Sequence, residues 1–356
     1  MAGLAIIEVI GLVSGALGII QFGIDNFAAP EPTGSKLKIA VGLDVTGGLS
    51  NAGGDLPDVR LYNEAGEFLG MKADPGKVGD GSVGEIKVDH NDDSAQQAAY
   101  ALFSANNDAI CVAYVSITWP SGDEYAWVGD WGQTCGGSWY FSNVFIKGSN
   151  YKPNCLWIDA NGDQPQTGFQ VHFPEFVTQE AGVVPSDKDE NYYCNKGPPF
   201  KLYTNDDPNV VTYWVLNNKS RRSIALTSPQ RGPKTSHRRR FHQRAYLNGT
   251  QNTLNSTQLV PADRHAGQLI VDNSTDHSTS DLCKSETSVG PDYANVADGN
   301  FCKMADKSLW PICTNKLTDE CFNLDMEELI VGGKATRDTS YHRVTTWGSS
   351  NDHAAR

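Results

Sequence analysis

The sequence lacks the short motifs that mark the common enzyme classes. It contains no G-x-S-x-G turn, no H-E-x-x-H helix, no Walker loop and no G-x-G-x-x-G in a strand–helix–strand setting. Its 29 Lys and Arg against 42 Asp and Glu give a net charge of −13, which disfavours nucleic acid as a partner. A non-catalytic protein is therefore favoured over an enzyme, and these motifs indicate no cofactor.

Long helical patterns are also missing. Between residues 36 and 178 no apolar 3.6-residue period extends beyond two turns, and the chain holds 35 Gly and 17 Pro. That composition is rich in turns and excludes a coiled coil or a helical repeat protein. Apolar residues make up 39% of the chain, which is enough for a hydrophobic core and excludes wholesale disorder. The composition therefore favours a folded, mainly β protein.

Positive charge is absent from the first 35 residues, and the run from Ala2 to Ile24 is almost wholly apolar. The run is long enough for a helix that crosses a bilayer, and helical spacing places Gly11, Gly15 and Gly18 on one narrow stripe. The sequence therefore predicts an apolar helix over residues 2–25, within an N-terminal unit of residues 1–29. Four roles are open for it: a secretory signal, a membrane-active or anchoring helix, a self-association helix, or a helix packed against the protein's own sheet.

Short strands separated by turns follow from residue 36. Leu37, Ile39 and Val41 alternate with polar or small residues, which is the period of a half-buried strand. Further strands are predicted over residues 59–62, 68–71, 85–88, 100–103, 110–118, 125–128, 144–147, 156–158 and 169–173. This regular spacing predicts an antiparallel β-sandwich or jelly-roll-like domain over residues 30–180.

Five of the eight tryptophans lie between residues 119 and 157. Two of these rings are in glycine-bounded segments, Gly129-Asp130-Trp131-Gly132 and Gly136-Gly137-Ser138-Trp139, which predicts loops. Rings exposed on loops can stack on sugars, whereas rings on strands fill a core. Burial in the core is the alternative for all of them. The ligand-binding candidates are Trp127, Asp130, Trp131, Trp139 and Tyr140.

A calcium site is a further candidate. Asp159, Asn161 and Asp163 place an oxygen donor at every second position, as calcium loops do. The EF-hand pattern then fails, because Gln164 stands where it needs Gly and Gln170 where it needs a bidentate Glu. An Asx-rich turn is the alternative to a metal loop.

A basic stretch over residues 219–244 carries nine of the 29 cations and not one acid, within a second β and loop region predicted over residues 181–280. It predicts a surface segment: a solvated loop, an anion site for sulfated or phosphorylated glycans or for nucleic acid, or a substrate of proteases that cut at basic residues. The processing candidates are Arg222 and Arg240. Four N-x-S/T sequons cluster in the same polar part of the chain, at Asn218, Asn248, Asn255 and Asn273.

The cysteines are even in number and contain no C-x-x-C pair, which disfavours zinc and thioredoxin-like sites. Four of them fall within a loop-rich segment and predict a Cys-rich C-terminal subdomain and tail over residues 281–356. Disulfides would indicate an extracellular or cell-surface protein, whereas free thiols would indicate a cytoplasmic one. Spacing leaves the pairing open. The eight candidates are Cys111, Cys135, Cys155, Cys194, Cys283, Cys302, Cys313 and Cys321.

Two segments carry a resemblance. The first runs through Trp127-Val-Gly-Asp-Trp131-Gly and Cys135-Gly-Gly-Ser-Trp-Tyr140, and the second through Phe301-Cys302-Lys-Met and Trp310-Pro-Ile-Cys313. Together they resemble a family of uncharacterised β-rich proteins of filamentous fungi that are often predicted to be secreted. The resemblance covers most of residues 36–345. It implies an extracellular, disulfide-bonded state, and it carries no activity or catalytic residue.

The sequence thus favours an extracellular or cell-surface protein that recognises glycans or a cell wall without catalysis. The second hypothesis is a self-assembling or membrane-active protein that acts through residues 2–25. The third is a polysaccharide hydrolase, for which Asp123, Glu124 and Asp130 are the candidate acid and base groups because they lie near the tryptophans.

Overall fold

The computed structural model describes residues 6–42, 52–217, 220–227, 265–336 and 341–347. Within these ranges the protein is mainly β, and its α-helices are short: α1 (Asp130–Thr134), α2 (Glu190–Asn195) and α3 (Thr279–Lys284). The strands are β1 (Ile6–Val13), β2 (Ala16–Gly23), β3 (Gly34–Val41), β4 (Gly54–Asp55), β5 (Asp58–Tyr62), β6 (Phe68–Lys72), β7 (Lys77–Val78), β8 (Val83–Asp89), β9 (Tyr100–Ser104), β10 (Ile110–Thr118), β11 (Glu124–Val128), β12 (Trp139–Phe141), β13 (Asn154–Ile158), β14 (Gly168–His172), β15 (Phe200–Tyr203), β16 (Val210–Asn217), β17 (Ser220–Thr227), β18 (Gln268–Asp272), β19 (Asp292–Asn295), β20 (Asn300–Lys303), β21 (Ser308–Pro311), β22 (Cys321–Asn323), β23 (Glu328–Val331), β24 (Lys334–Ala335) and β25 (Arg343–Thr346).

The predicted apolar helix over residues 2–25 is wrong. Its described part forms two antiparallel strands, β1 and β2, which we call the N-terminal hairpin. Ser14 and Gly15 connect them with positive φ angles of 52° and 76°, the conformation of the two-residue turn that matches the twist of paired strands. Five of the eight residues of β1 are β-branched, which favours a strand over a helix. Gly11 and Gly18, which share one stripe in a helix, are opposite each other in the hairpin.

Two larger sheets form the body of the protein. One has the order β12-β13-β10-β3-β8, with β11 also paired to β10, and the other has the order β15-β14-β9-β5-β6. All neighbouring strands in both sheets are antiparallel. Strand β8 alternates exposed and buried residues, as a half-buried edge does, whereas every residue of β10 is buried. Side chains from both sheets belong to one hydrophobic core.

The predicted body strands are confirmed with one exception. The strand predicted over residues 144–147 is wrong, because the chain turns there. Asn143 has a positive φ of 52°, and the backbone N–H of Val144 donates to the Ser142 hydroxyl instead of to a neighbouring strand. The aromatic residues just before this segment form a strand instead, β12.

The C-terminal portion contains a five-stranded sheet with the order β21-β20-β19-β18-β25 and a three-stranded sheet with the order β22-β23-β24. Strand β18 is parallel to both of its neighbours, and α3 lies between β18 and β19 in the chain. Hydrogen bonds join this portion to the body: among them, the Trp157 indole N–H donates to the Val289 carbonyl and the Tyr140 hydroxyl donates to the Pro291 carbonyl, each at 2.9 Å. The predicted domain boundaries stay predictions.

All eight cysteines form disulfides, and no free thiol is present. The pairs lie within the body or within the C-terminal portion. Four disulfides indicate an oxidising environment, as found outside the cell. The pairs are Cys111–Cys155, Cys135–Cys194, Cys283–Cys302 and Cys313–Cys321.

Several predicted surface features lie largely outside the described residues. Arg240, most of the basic stretch and the sequons at Asn218, Asn248 and Asn255 are among them. Arg222 is exposed on β17, where its backbone pairs with Val215 of β16. Asn273 is exposed directly after β18. Glycosylation and processing therefore stay predictions. Among the described residues no helix is long and apolar enough to cross a membrane.

Candidate functional site

The aromatic candidates are buried. Trp127, Trp131 and Tyr140 are 0% exposed and Trp139 is 1% exposed, so no ring face is open to a sugar. The expectation that glycine-bounded loops expose these rings is wrong, because the segment around Trp131 forms α1 and Trp139 begins β12. The indole N–H groups of Trp131 and Trp139 have structural partners. Trp131 donates to the Ile10 carbonyl at 3.0 Å, and Trp139 donates to the Ser285 hydroxyl at 2.9 Å.

Asp130, the fifth candidate, lies beneath the N-terminal hairpin and is 3% exposed. Its Oδ1 atom accepts the backbone N–H of Asn154 at 3.2 Å and is 3.0 Å from the Tyr151 hydroxyl oxygen. Its Oδ2 atom is buried with no hydrogen-bond partner. Burial raises the pKa of this carboxyl to about 7, and the hydrogen bonds from Asn154 and Tyr151 offset only part of the effect. Asp130 cannot contact a polysaccharide from this position.

The hydrolase candidates do not share an accessible site. Asp123 lies in the exposed turn before β11, where it accepts a hydrogen bond from the Ser121 hydroxyl at 2.7 Å. Glu124 begins β11, and partial burial raises the pKa of its carboxyl. Because Asp130 is closed off from solvent, it cannot act as a catalytic carboxylate together with Asp123 or Glu124, and the hydrolase hypothesis stays a prediction.

An open polar cavity lies where three segments of the body meet: the strand end at Asp55, residues 74–77 and residues 106–107. It has a volume of about 250 Å³, and we call it the loop pocket. None of its described lining residues is aromatic. The walls carry carboxylates, side-chain amides, one ammonium group and the open backbone of a glycine with positive φ. Its lining residues are Asp55, Asp74, Gly76, Lys77, Asn106 and Asn107.

Buried hydrogen bonds fix the walls of the loop pocket. Asp58, 0% exposed at the start of β5, accepts from the Asp74 backbone N–H at 2.9 Å and from the Asn106 amide at 3.1 Å. The same Asn106 amide group donates to the Leu56 carbonyl at 2.7 Å. These contacts hold three chain segments in one arrangement, so the pocket is formed before any ligand binds.

The electrostatic balance of the loop pocket is acidic. The Lys77 ammonium lies 2.8 Å from Asp55 and 3.4 Å from Asp108, and hydrogen bonding and attraction from Asp55, with a smaller contribution from Asp108, raise its pKa. Two carboxylates therefore neutralise the one cation, while Asp74 adds a further negative charge. Such a rim repels anionic ligands and accepts neutral or cationic ones.

The predicted calcium loop borders the loop pocket. Its Asp159 Oδ2 accepts the backbone N–H groups of Asn161 and Asp163 at 3.0 and 2.8 Å, so the loop closes on itself as an Asx turn. Burial raises the pKa of Asp159. Within the described ranges, no group of three or more His, Cys, Asp or Glu could hold a metal ion. The loop is tied to the pocket wall by the Ala160 N–H, which donates to the Asn106 carbonyl at 3.0 Å.

Sequence reasoning missed a buried ionic cluster at the end of β14. The His172 ring lies 2.6 Å from Glu64 and 3.6 Å from Glu175, and it stacks on Tyr100 at 4.0 Å. Glu175 also pairs with Lys188. Burial alone would raise the pKa of Glu175, but its interactions with His172 and Lys188 outweigh burial and hold the pKa well below the usual range. The His-x-x-Glu spacing after a strand was the available signal.

A second histidine–carboxylate pair anchors the C-terminal sheet. His277 Nδ1 lies 2.6 Å from Asp272 at the end of β18, and the Tyr293 hydroxyl donates to the same carboxylate at 2.5 Å. The His277 ring stacks on Phe141 of the body at 4.3 Å. Because both side chains are buried between the two portions, we assign the pair to packing rather than to chemistry.

The comparisons with known proteins assign no function to this chain. No protein-family model matches the sequence, and no curated protein matches it significantly. The resemblance to uncharacterised β-rich proteins of filamentous fungi therefore stays a prediction. Function is inferred from the residues described above, among which the loop pocket is an accessible site with a fixed set of polar groups.

Proposed function

We propose that this chain is an extracellular, non-catalytic protein that recognises neutral carbohydrate through the loop pocket. The observation that supports this most is the polar lining of the pocket, held in place by buried Asp58. Sugar hydroxyls both donate and accept hydrogen bonds. Asp55 and Asp74 offer acceptors, Lys77 offers donors, and the side-chain amide of Asn107 offers both. Affinity then depends on these hydrogen bonds rather than on stacking.

The architecture that we propose for the body agrees with this role. If the two larger sheets face each other as a β-sandwich, the loop pocket lies among the loops at one end, where such folds usually bind ligands. The four disulfides fit an exported protein, at the cell surface or in the medium. Carbohydrate of a cell wall is a partner that such a protein would meet.

The charge of the pocket specifies the ligand class further. Because its carboxylates outnumber its one cation, we expect neutral glycans to bind and sulfated or uronic-acid glycans to be rejected.

A glycan array tests the proposal with three proteins: the wild type, the Asp74→Asn/Asn107→Ala double variant and a Glu85→Gln control. Asn tolerates the positive φ of 45° at position 74, and Glu85 is exposed on β8. We expect wild type and control to bind the same neutral glycans. The double variant should lose about tenfold or more in affinity, since each hydrogen bond contributes about 0.5–1.5 kcal/mol. An array without any wild-type signal would remove the proposal.

A second candidate function is self-association through the outer edge of the N-terminal hairpin. Among the described strands β2 pairs with β1 alone, and large apolar side chains at the ends of the hairpin, Ile6, Val13 and Ile24, are exposed. An unpaired strand edge with apolar neighbours favours pairing with a second copy. This retains the second sequence-based hypothesis with a hairpin in place of the helix.

Sedimentation velocity separates the two candidates. Ile19→Lys places a charge on the outer strand and should convert any dimer or larger species to monomer, because lysine on an edge strand opposes pairing. Val296→Lys, an exposed apolar residue far along the chain, is the matched control. A wild-type protein that is monomeric at all concentrations would eliminate this candidate.

A further inference from the structure

The N-terminal hairpin is held on the body by polar contacts as well as by apolar packing. The Tyr151 hydroxyl donates to the Leu12 carbonyl of β1, and the Trp131 indole N–H donates to the Ile10 carbonyl at 3.0 Å. Strand β1 also pairs at Val9 with Val177. Asp130 lies directly behind Tyr151, with Oδ1 at 3.0 Å from the hydroxyl and Oδ2 buried without a partner.

A phenol carries one proton, so Tyr151 can donate to one acceptor at a time. When Asp130 is protonated, its O–H donates to the Tyr151 oxygen and the Tyr151 proton is free for the Leu12 carbonyl. When Asp130 is ionised, the carboxylate takes the Tyr151 proton in a charge-assisted hydrogen bond, and Leu12 loses its donor. Ionisation also leaves a charge in a site where Oδ2 has no partner, which is costly.

We propose that Asp130 and Tyr151 form a proton-dependent latch that holds the N-terminal hairpin on the body when Asp130 is protonated and loosens it when Asp130 is ionised. The latch goes beyond carbohydrate binding, because it uses none of the residues of the loop pocket. It places a conformational response in an element whose apolar strands could then be offered to a second molecule.

Other titratable groups around Asp130 do not counter the latch. The elements packed against α1 are β1, β13 and α2. Glu8 of β1 accepts the Gly182 N–H, Tyr192 and Tyr193 of α2 donate to Glu175, and Cys155 of β13 is in a disulfide. Glu190 of α2 is exposed to solvent. Tyr151 is the titratable side chain in contact with Asp130, and burial raises its pKa far above neutrality, so it stays protonated.

The pH range over which the latch responds follows from the pKa of the Asp130 carboxyl group. Burial raises the pKa of Asp130 from 3.8 to about 7 in the docked state. An acid with a raised pKa binds its proton more tightly in the docked state than in the open one, so docking is favoured at low pH. That preference decreases as the pH rises from about 4 and is lost above about 7.

Hydrogen–deuterium exchange, corrected for the intrinsic effect of pH, tests the latch on the full chain. We expect protection of the amides of residues 6–23 to fall by up to about tenfold per pH unit between pH 5 and 7, while amides of β10 keep their protection. Asp130→Asn, which cannot ionise, should remove this slope. Asp123→Asn, which changes an exposed carboxylate, should leave the slope unchanged.

Three results would overturn the latch: hairpin protection independent of pH in the wild type, an equal loss in β10, or the same slope in Asp130→Asn. If Asp130→Asn does not fold, the wild-type comparison of the hairpin with β10 decides the matter by itself.

Discussion

Two buried carboxyl groups, Asp130 and Glu175, control how this protein responds to pH, and their pKa values are shifted in opposite directions. Asp130 has few partners, and its pKa is raised by burial. Glu175 is similarly buried but is surrounded by donors: Tyr192 at 3.0 Å, the Trp214 indole at 3.2 Å, and the Lys188 ammonium. The first group stabilises the fold as a neutral acid, and the second does so as an anion.

The Glu175→Gln substitution should destabilise the protein. It leaves Lys188 without its carboxylate, and losing one member of a buried pair costs about 3 kcal/mol. In the wild type, the lowered pKa of Glu175 contributes stability that is complete above about pH 4.5 and is lost as the pH falls below it. We expect urea denaturation between pH 2 and 7 to show this loss in the wild type and a weaker one in Glu175→Gln. Glu180→Gln, at an exposed site, should behave like the wild type, and a Glu175→Gln protein of wild-type stability would contradict the assignment.

At the scale of elements, the turn of the N-terminal hairpin is the feature most sensitive to a local change. Ser14 and Gly15 both have positive φ, and no atom lies within 4 Å of a Cβ added at Gly15. A substitution there is therefore unfavourable because of the backbone and not because of a clash.

We expect Gly15→Val to lower the free energy of unfolding by about 1–2 kcal/mol and Ser14→Asn to raise it slightly, since Asn-Gly is the preferred sequence of such turns. Ala16→Val adds the same side chain to the adjacent, exposed strand position and should be neutral. Chemical denaturation measures all three variants. Equal effects of the Val substitutions at positions 15 and 16 would contradict the hairpin.

Strands with a clear period of two could be predicted from the sequence, and the hairpin could not. Leu37, Ile39 and Val41 alternate with polar or small residues, so β3 was evident. In residues 2–25 apolar side chains occupy both odd and even positions, a pattern that suits a buried helix as well as a covered pair of strands. The Ser14-Gly15 turn decides between the two only once the structure is known.

The loop pocket was beyond sequence reasoning for a different reason. Its residues come from three separate segments: the end of β4 at Asp55, and residues 74–77 and 106–107, whose sequences indicate only chain reversals. Buried Asp58 brings them together through space. The aromatic candidates failed for the opposite reason: Trp131 lies in a glycine-bounded segment, but α1 turns its ring inward against Tyr193 at 4.4 Å.

At the scale of the whole molecule, the disulfides contribute to stability and indicate the environment in which the protein works. They close loops of different length, with separations of 59 residues for Cys135–Cys194 and 8 residues for Cys313–Cys321. A longer closed loop removes more entropy from the unfolded chain.

Replacing both cysteines of a pair by Ser should therefore cost more for the longer loop. We expect losses of roughly 4 kcal/mol for Cys135–Cys194 and roughly 2.5 kcal/mol for Cys313–Cys321, measured by denaturation of each double variant. Peptide mass spectrometry without reduction should first show the four pairs intact. Free thiols in the natively produced protein would contradict an exported state.

The central claim is that the loop pocket binds neutral carbohydrate, and the most direct measurement is the amide NMR spectrum of the isotope-labelled protein during titration. Suitable probes are hexasaccharides of β-1,3-linked glucose and of β-1,4-linked N-acetylglucosamine. The account predicts saturable shifts at Asp55, Asp74 to Lys77 and Asn106 to Asn107, and none for a sulfated oligosaccharide. Shifts centred on other surfaces, or no shifts with any neutral probe, would contradict it.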